Sequence, residues 1–173
     1  MMTRIYLIGM PGSGKSAVGR LLAERLRVRF VDLDEEIEKA EGMPITRIFE
    51  DLGESYFRKV ESDLLHAWAS SPDAFVMATG GGVPCFHEGI DIINRSGISI
   101  FLDVPVNELA ARIAAEAHRP LIGDKVRDET LTRLLETRKS TYEQARYRID
   151  ASRRPDQVAT AIMQALESHA EGQ

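Results

Sequence analysis

Cysteine occurs once in this chain of 173 residues, at Cys85. No disulfide can close within the chain and no cysteine cluster can hold a metal, which suits a reducing compartment. Basic residues are not in excess: 22 Lys and Arg stand against 27 Asp and Glu, a net charge of −5. That balance lends no support to a nucleic-acid partner, whose phosphates recruit a basic surface. No apolar run approaches the ~20 residues of a membrane span. Met1-Met2-Thr3-Arg4 is too short to hold the charged and apolar regions of a signal peptide. Internal repeats, low-complexity tracts and linkers are lacking as well. What remains is a hydrophobic fraction of 43% and a charged fraction of 28%, an ordinary globular composition. The expectation is one domain over 1–173, monomeric and cytoplasmic.

The stretch that is most clearly present is Gly9-Met10-Pro11-Gly12-Ser13-Gly14-Lys15-Ser16, a complete G-x-x-x-x-G-K-[ST]. An apolar run, Ile5-Tyr6-Leu7-Ile8, precedes it, and Ala17 to Leu26 follow with apolar residues at helical spacing. Strand, glycine-rich loop and helix are the context a P-loop requires. Glycines let the backbone close around a phosphate chain, and loop N–H groups with the helix N-terminus supply positive potential. In such a loop Lys15 reaches the β- and γ-phosphates and the Ser16 hydroxyl holds Mg²⁺.

Further along, Val28–Val31 reads as a second strand ending in Asp32-Leu33-Asp34. If strand geometry persists, both acids point one way at the carboxyl end, where open parallel sheets bind ligands. Asp34 could also cap the helix that follows. Helical patches are expected at Glu36–Glu41, Ile45–Asp51 and Tyr56–Ala69, the last burying Phe57, Val60, Leu64, Leu65 and Trp68. Arg58 and Glu61 share a face of it, a pattern that is most often a solvated surface pair. A third strand, Ala74–Ala78, ends in Thr79-Gly80-Gly81-Gly82, and three glycines there suggest close backbone approach to a ligand. A helix around His87–Asn94 closes at Gly97, a suitable C-cap. Strand Ile98–Leu102, helix Pro105–Ala117 and a loop, His118–Lys125, come next. The remaining elements are a helix Glu129–Glu143, a weak strand Tyr147–Asp150, and a helix opening on Pro155 and running to about Ser168. Strands alternating with helices predict an α/β protein with a parallel sheet, its three polar clusters meeting along one edge.

A P-loop names the phosphoryl donor and leaves the acceptor open. No N-K-x-D guanine-reading motif is present: Asn94 is followed by Arg95 and Asn107 by Glu108. An ATP-using small-molecule kinase is the default for a chain of this size, with acceptors such as gluconate or a nucleoside monophosphate as rivals and a non-catalytic ATP-binding module as another.

Taken together, the motifs resemble shikimate kinase over nearly the whole chain. They are Gly9–Ser16, Asp32-Leu33-Asp34, Gly53-Glu54-Ser55-Tyr56-Phe57-Arg58-Lys59-Val60-Glu61, Thr79-Gly80-Gly81-Gly82, Arg119-Pro120-Leu121, and Arg138 ahead of Tyr142. The resemblance implies a three-layer α/β/α P-loop kinase of the nucleoside monophosphate kinase-like fold. It would have a five-stranded parallel sheet, a helical substrate-binding region over about 34–61 and a mobile lid over about 113–126. It also implies transfer from ATP, with Mg²⁺, to the 3-hydroxyl of shikimate, on the route to chorismate and the aromatic amino acids.

The residue roles it implies are these. Gly12, Ser13, Gly14, Lys15, Ser16 and Ala17 would take the ATP phosphates, and Arg112 with the Arg153–Pro155 segment would sandwich adenine. Ser16 and Asp32 would hold the metal, Asp32 through water. Asp34 would bind ring hydroxyls and accept the attacking proton, Arg58 and Arg138 would fork onto the carboxylate, and Glu61 would orient Arg58. Gly80, Gly81 and Gly82 would approach the substrate through backbone, and lid residue Arg119 would close on the phosphates. Phe49 and Phe57 would pack beside the acceptor. The family often carries a proline two residues after its carboxylate-binding arginine, where this chain has Ser140, and often a second leucine where it has Ile122. Cys85 reads as a small packed residue.

Overall fold

The computed structural model describes the backbone of residues 3–116 and 124–171 and the side chains of 3–115 and 128–168. Five strands form a single sheet: β1 (Arg4–Ile8), β2 (Arg29–Asp32), β3 (Phe75–Ala78), β4 (Ile98–Asp103) and β5 (Tyr147–Asp150). Their order is β2-β3-β1-β4-β5 and every neighbouring pair is parallel. β3 is buried throughout and β1 and β4 nearly so, as expected for strands covered on both faces. The edge strand β5 alternates half-buried and exposed positions, which is why its sequence signal is weak.

Register assigns the two faces. Ile5, Val76 and Phe30 lie side by side across three strands, and with Leu7 they face helix α1 (Lys15–Leu26). Gly19 of α1 sits so close that a Cβ there would stand 2.5 Å from Phe30 Cε2. Tyr6 and Phe75 face the other way, their rings meeting edge to face at 5.5 Å. There Phe75 meets Trp68 of α4 (Glu54–Ala69), and the Tyr6 hydroxyl meets Ser96 Oγ of α5 (Gly89–Ser96) at 2.9 Å. A layer of helix therefore covers each side of the sheet.

Between β2 and β3 the chain builds α2 (Leu33–Glu41), α3 (Ile45–Leu52) and α4. Their breaks are at Gly42 and Gly53, with φ of 67° and 83°, values that glycine adopts without strain. Beyond β4 run α6 (Val106–Glu116) and α7 (Asp124–Tyr142), and α8 (Pro155–Glu171) follows β5. α7 starts at Asp124, ahead of the expected Glu129, and α8 opens on Pro155 as the sequence indicates.

Two local expectations are corrected. β2 runs one residue further than Val31, and α2 begins at Leu33, so Asp32 and Asp34 do not share a strand face. The cap is Asp32, whose carboxylate accepts the Asp34 N–H at 3.1 Å. Gly97 does cap α5, its N–H reaching Ile93 O, but in an extended conformation open to any residue. Space is what requires glycine: a Cβ there would lie 2.4 Å from Arg4 O and 2.8 Å from Tyr6 Cε2.

Candidate active site

All five strands point their carboxyl ends one way, and the loops that leave them carry the polar clusters. After β1 the chain turns through Gly9, Gly12 and Gly14, all at positive φ. At Gly9 close approach adds to the requirement, since a Cβ would meet Leu102 O at 2.8 Å. Lys15 opens α1 and folds back over the loop, donating to Gly9 O at 2.9 Å and Met10 O at 2.8 Å. Burial brings its ammonium down to about 8, against the opposing pull of the Asp34 and Asp32 carboxylates. The Ser16 hydroxyl donates to Asp32 Oδ2 at 2.7 Å. Asp34 sits in the first turn of α2, and its carboxyl is raised first by burial and then by the neighbouring Asp32. A cavity of about 330 Å³ over these residues is walled on the far side by Ala78 to Gly81.

A second cavity, about 260 Å³, adjoins the first and shares Pro11, Asp34, Gly80 and Gly81 with it. Arg58 and Arg138 both line it, from α4 and α7. Arg58 is not a surface residue: its side chain is 11% exposed and its Nη1 donates at 2.8 Å to Glu61 Oε1, itself 3% exposed. Burial pushes the Glu61 carboxyl up and Arg58 pulls it down. Arg58 Nε stands 3.5 Å from Glu54 Oε1, and its guanidinium lies 4.2 Å from the Phe86 ring centroid. The pair is thus a fixed cation held between two acids and an aromatic face. Gly82 makes room for it, because a Cβ there would lie 2.3 Å from Arg58 Nη1. Arg138 stays in the site without the family's usual proline, since α7 runs unbroken past it to Tyr142; a Cβ on Gly81 would come within 3.1 Å of its Nη1. Phe49 and Phe57 stack at 4.6 Å on the same wall, Phe57 buried and Phe49 38% exposed.

On the other side of the phosphate loop a third cavity, about 220 Å³, is shared by Gly12, Ser13, Gly14 and Ala17 with Arg112 and Arg153. Arg112 spans it, donating to Ala151 O at 2.8 Å and Gly12 O at 3.4 Å. Arg153 is held more loosely, 3.7 Å from Asp150 Oδ2. Arg119, His118 and the Arg119-Pro120-Leu121 motif lie outside the described residues, as does most of the expected lid. Cys85 is half-buried and packed against the core, and burial raises its thiol.

Three participants escape sequence reasoning. Pro11 lines both the phosphate and the neighbouring cavity, Phe86 stacks on Arg58, and the buried Tyr142 hydroxyl donates to Gly81 O at 2.6 Å. Tyr142 follows Arg138 by four residues, so helical spacing carried a signal. Phe86 lies beyond the turn and nothing local announces it.

A triphosphate loop with a base-sized cavity on one side and a cationic, carboxylate-bearing cavity on the other defines a P-loop phosphotransferase with a small acceptor. Comparison with known proteins narrows the class. Residues 11–167 match the shikimate kinase family, and the chain belongs to it. It is 39% identical to the shikimate kinase of Sulfurihydrogenibium, over 94% of this chain and 96% of that one. The relative from Nostoc is 43% identical, over 95% and 91%. Shikimate kinase from Acinetobacter baumannii, solved in complex with shikimate, superposes with a TM-score of 0.89 at 36% identity, covering 98% of this chain and 95% of that one. A gluconokinase from Sinorhizobium meliloti aligns at 0.67 with 19% identity over 99% and 95%, a likeness of fold alone.

Proposed function

We infer that the chain transfers the γ-phosphoryl group of ATP to the 3-hydroxyl of shikimate, giving shikimate 3-phosphate for chorismate and aromatic amino acid biosynthesis. The observation that carries this reading is the cavity that joins two arginines to the phosphate loop through Asp34. Shikimate is a carboxylated ring with three hydroxyls. Arg58 and Arg138 take the carboxylate, where a guanidinium fork fixes direction as well as charge. Glu61 and Phe86 hold Arg58 in orientation, and Gly80 to Gly82 present backbone rather than side chain to the ring. Phe49 and Phe57 cover its apolar edge.

At the other end of the ring Asp34 binds the hydroxyls. The 3-hydroxyl oxygen attacks the γ-phosphorus as the bond to the ADP oxygen breaks, and its proton passes to Asp34. A carboxyl raised by burial is suited to receive it. The transition state is loose, so most of the acceleration comes from alignment and charge neutralisation. Lys15 supplies part of that charge, leaving its loop carbonyls for the phosphates. Gly12 to Ala17 cradle the phosphates through backbone N–H groups, Arg112 and Arg153 flank the adenine, and Arg119 closes over the phosphates and excludes water.

Mg²⁺ fits the oxygen-rich pair made by Ser16 Oγ and Asp32, 2.7 Å apart; Ser16 would bind it directly and Asp32 through water. When bound it neutralises charge on the β- and γ-phosphates. The active unit in this reading is a monomer. No helix among the described residues is long and apolar enough to cross a membrane, and a single cysteine suits the cytoplasm. The residues divide into a core with the loop at 9–16, a substrate-binding region at about 34–61 and a lid at about 113–126.

A coupled ADP-release assay over hydroxylated acids and nucleotides tests the reading. We expect Mg²⁺-dependent turnover with shikimate; turnover with gluconate or a nucleoside monophosphate and none with shikimate would refute it.

A further inference from the structure

The three glycines after β3 treat their carbonyls and their amides differently. Every carbonyl is taken: Gly80 O by Val83 N–H at 3.1 Å, Gly82 O by Cys85 N–H at 2.9 Å, and Gly81 O by the Tyr142 hydroxyl at 2.6 Å. Among the described residues none of the three N–H groups donates a hydrogen bond. Two of the carbonyls are bound within the turn itself. The middle one depends on a side chain 61 residues away, at the end of α7.

Among the described residues that middle peptide makes no other hydrogen bond. Gly81 and Gly82 flank it, and with no Cβ on either side the peptide plane can reverse at little steric cost. In a trans peptide the C=O and N–H point in opposite directions. Anchoring Gly81 O on Tyr142 therefore turns the Gly82 N–H away from Tyr142. Gly82 lines the acceptor cavity and Tyr142 does not. We propose that Tyr142 is a positioning residue for the acceptor: its hydroxyl locks the Gly81–Gly82 peptide so that the Gly82 N–H, rather than the Gly81 oxygen, faces the cavity that Arg58 and Arg138 line. This inference rests on the acceptor reading given above.

The surroundings of the hydroxyl suit a fixed anchor. Tyr142 is 0% exposed, its ring lies 5.2 Å from that of Phe101, and its hydroxyl also stands 4.0 Å from Met10 Sδ in the phosphate loop. Burial pushes the hydroxyl up to about 12, against the charge of Arg138 beside it, so the tyrosine remains a donor at neutral pH. Arg138 precedes it by one helical turn, so the residue that takes the carboxylate and the one that orients the amide ride on the same stretch of α7. A reversed peptide would aim a carbonyl oxygen at the two guanidiniums, competing for the donors a carboxylate needs.

Tyr142→Phe removes the hydroxyl and keeps the ring. Tyr6→Phe is its control, because Tyr6 is equally buried and gives up one hydrogen bond, to Ser96, far from the glycine turn. We expect Tyr142→Phe to raise KM for shikimate about tenfold, with kcat and the Kd for ATP within about twofold of wild type. Both variants should lower Tm by similar amounts, and Tyr6→Phe should leave KM for shikimate unchanged. An unaltered KM in Tyr142→Phe, or an equal rise in both variants, overturns the proposal. A second readout needs neither substrate nor turnover. In labelled ligand-free protein the Gly81 carbonyl ¹³C resonance should move in Tyr142→Phe and stay in Tyr6→Phe, and a resonance that stays in both overturns the proposal too. Wild-type protein inactive on shikimate would sink the proposed function, and the carbonyl resonance would still decide on Tyr142.

Discussion

Lys15 is the residue in which burial and function pull hardest against each other. Its ammonium is enclosed by the loop it belongs to, donating to two loop carbonyls, and burial brings it down to about 8. With the lysine depressed in the folded chain, its charge is a burden on folding that is full below pH 8. The burden is relieved as pH climbs toward the ordinary lysine value of 10.5, because the folded state then gives up the proton first. Nucleotide binding reverses the direction. Phosphates bring negative charge to the ammonium and raise its pKa, so above pH 8 binding must take up a proton. Affinity for ATP should be flat from pH 6.5 to 7.5 and then weaken, by at most about tenfold per unit, as pH rises past about 8. Calorimetry in two buffers of different ionisation enthalpy should report proton uptake on the alkaline side only; affinity flat to pH 9.5 would show that Lys15 keeps its proton in the free loop. At this scale the sequence was most legible where a residue's neighbours in the chain set its environment. Lys15 and Ser16 are of that kind. Asp32 and Asp34 were read as a pair, but which of them caps α2 depended on where β2 ends, by one residue.

Elements were legible wherever hydrophobic period and punctuation agreed. All five strands and the helices between them fall where alternation and glycine or proline placed them. The shifts are at the ends, such as the first turn of α4 and the early start of α7. What local pattern could not supply is which helix face meets what. Arg58 and Glu61 have the spacing of a surface pair, and they are buried because α4 lies against the glycine turn and Phe86, from a different stretch of chain. Gly97 illustrates the same point. Its position after α5 is that of a cap, while its physical reason is the backbone of β1 at Arg4, adjacent in the sheet but at the far end of the chain from it. Gly97→Ala therefore forces a Cβ onto Arg4 O, a backbone atom that cannot rotate aside, at the start of the central strand. We expect a loss of about 1–3 kcal/mol in urea unfolding, outweighing the few tenths gained from a less flexible unfolded chain. Since the strain falls at the end of β1 opposite the phosphate loop, kcat should hold. A variant as stable as wild type would show that β1 and β4 can part without cost.

At the scale of the molecule, the sheet order places β1 in the middle, so its loop lies between the carboxyl ends of β3 and β4. β3 delivers the glycine turn on one side, and β4 and β5 deliver Arg112 and Arg153 on the other. The phosphate cavity overlaps each of its two neighbours, while the outer two have no lining residue in common. Donor and acceptor should therefore be separable by truncation. Arg58→Ala removes a charge-assisted contact to the acceptor and should lower kcat/KM for shikimate about 10–100-fold, with the Kd for ATP within about twofold. It also strands Glu61, at 3% exposure, without its cation, so a lower Tm should accompany it and Glu61→Gln in the same chain should recover part of that loss. Arg112→Ala should do the converse, weakening ATP about tenfold and leaving shikimate binding to the nucleotide-free protein intact. Titration of each ligand into each variant decides the matter. If either truncation weakens both ligands alike, the two outer cavities are one compartment, and the phosphate loop does not divide donor from acceptor.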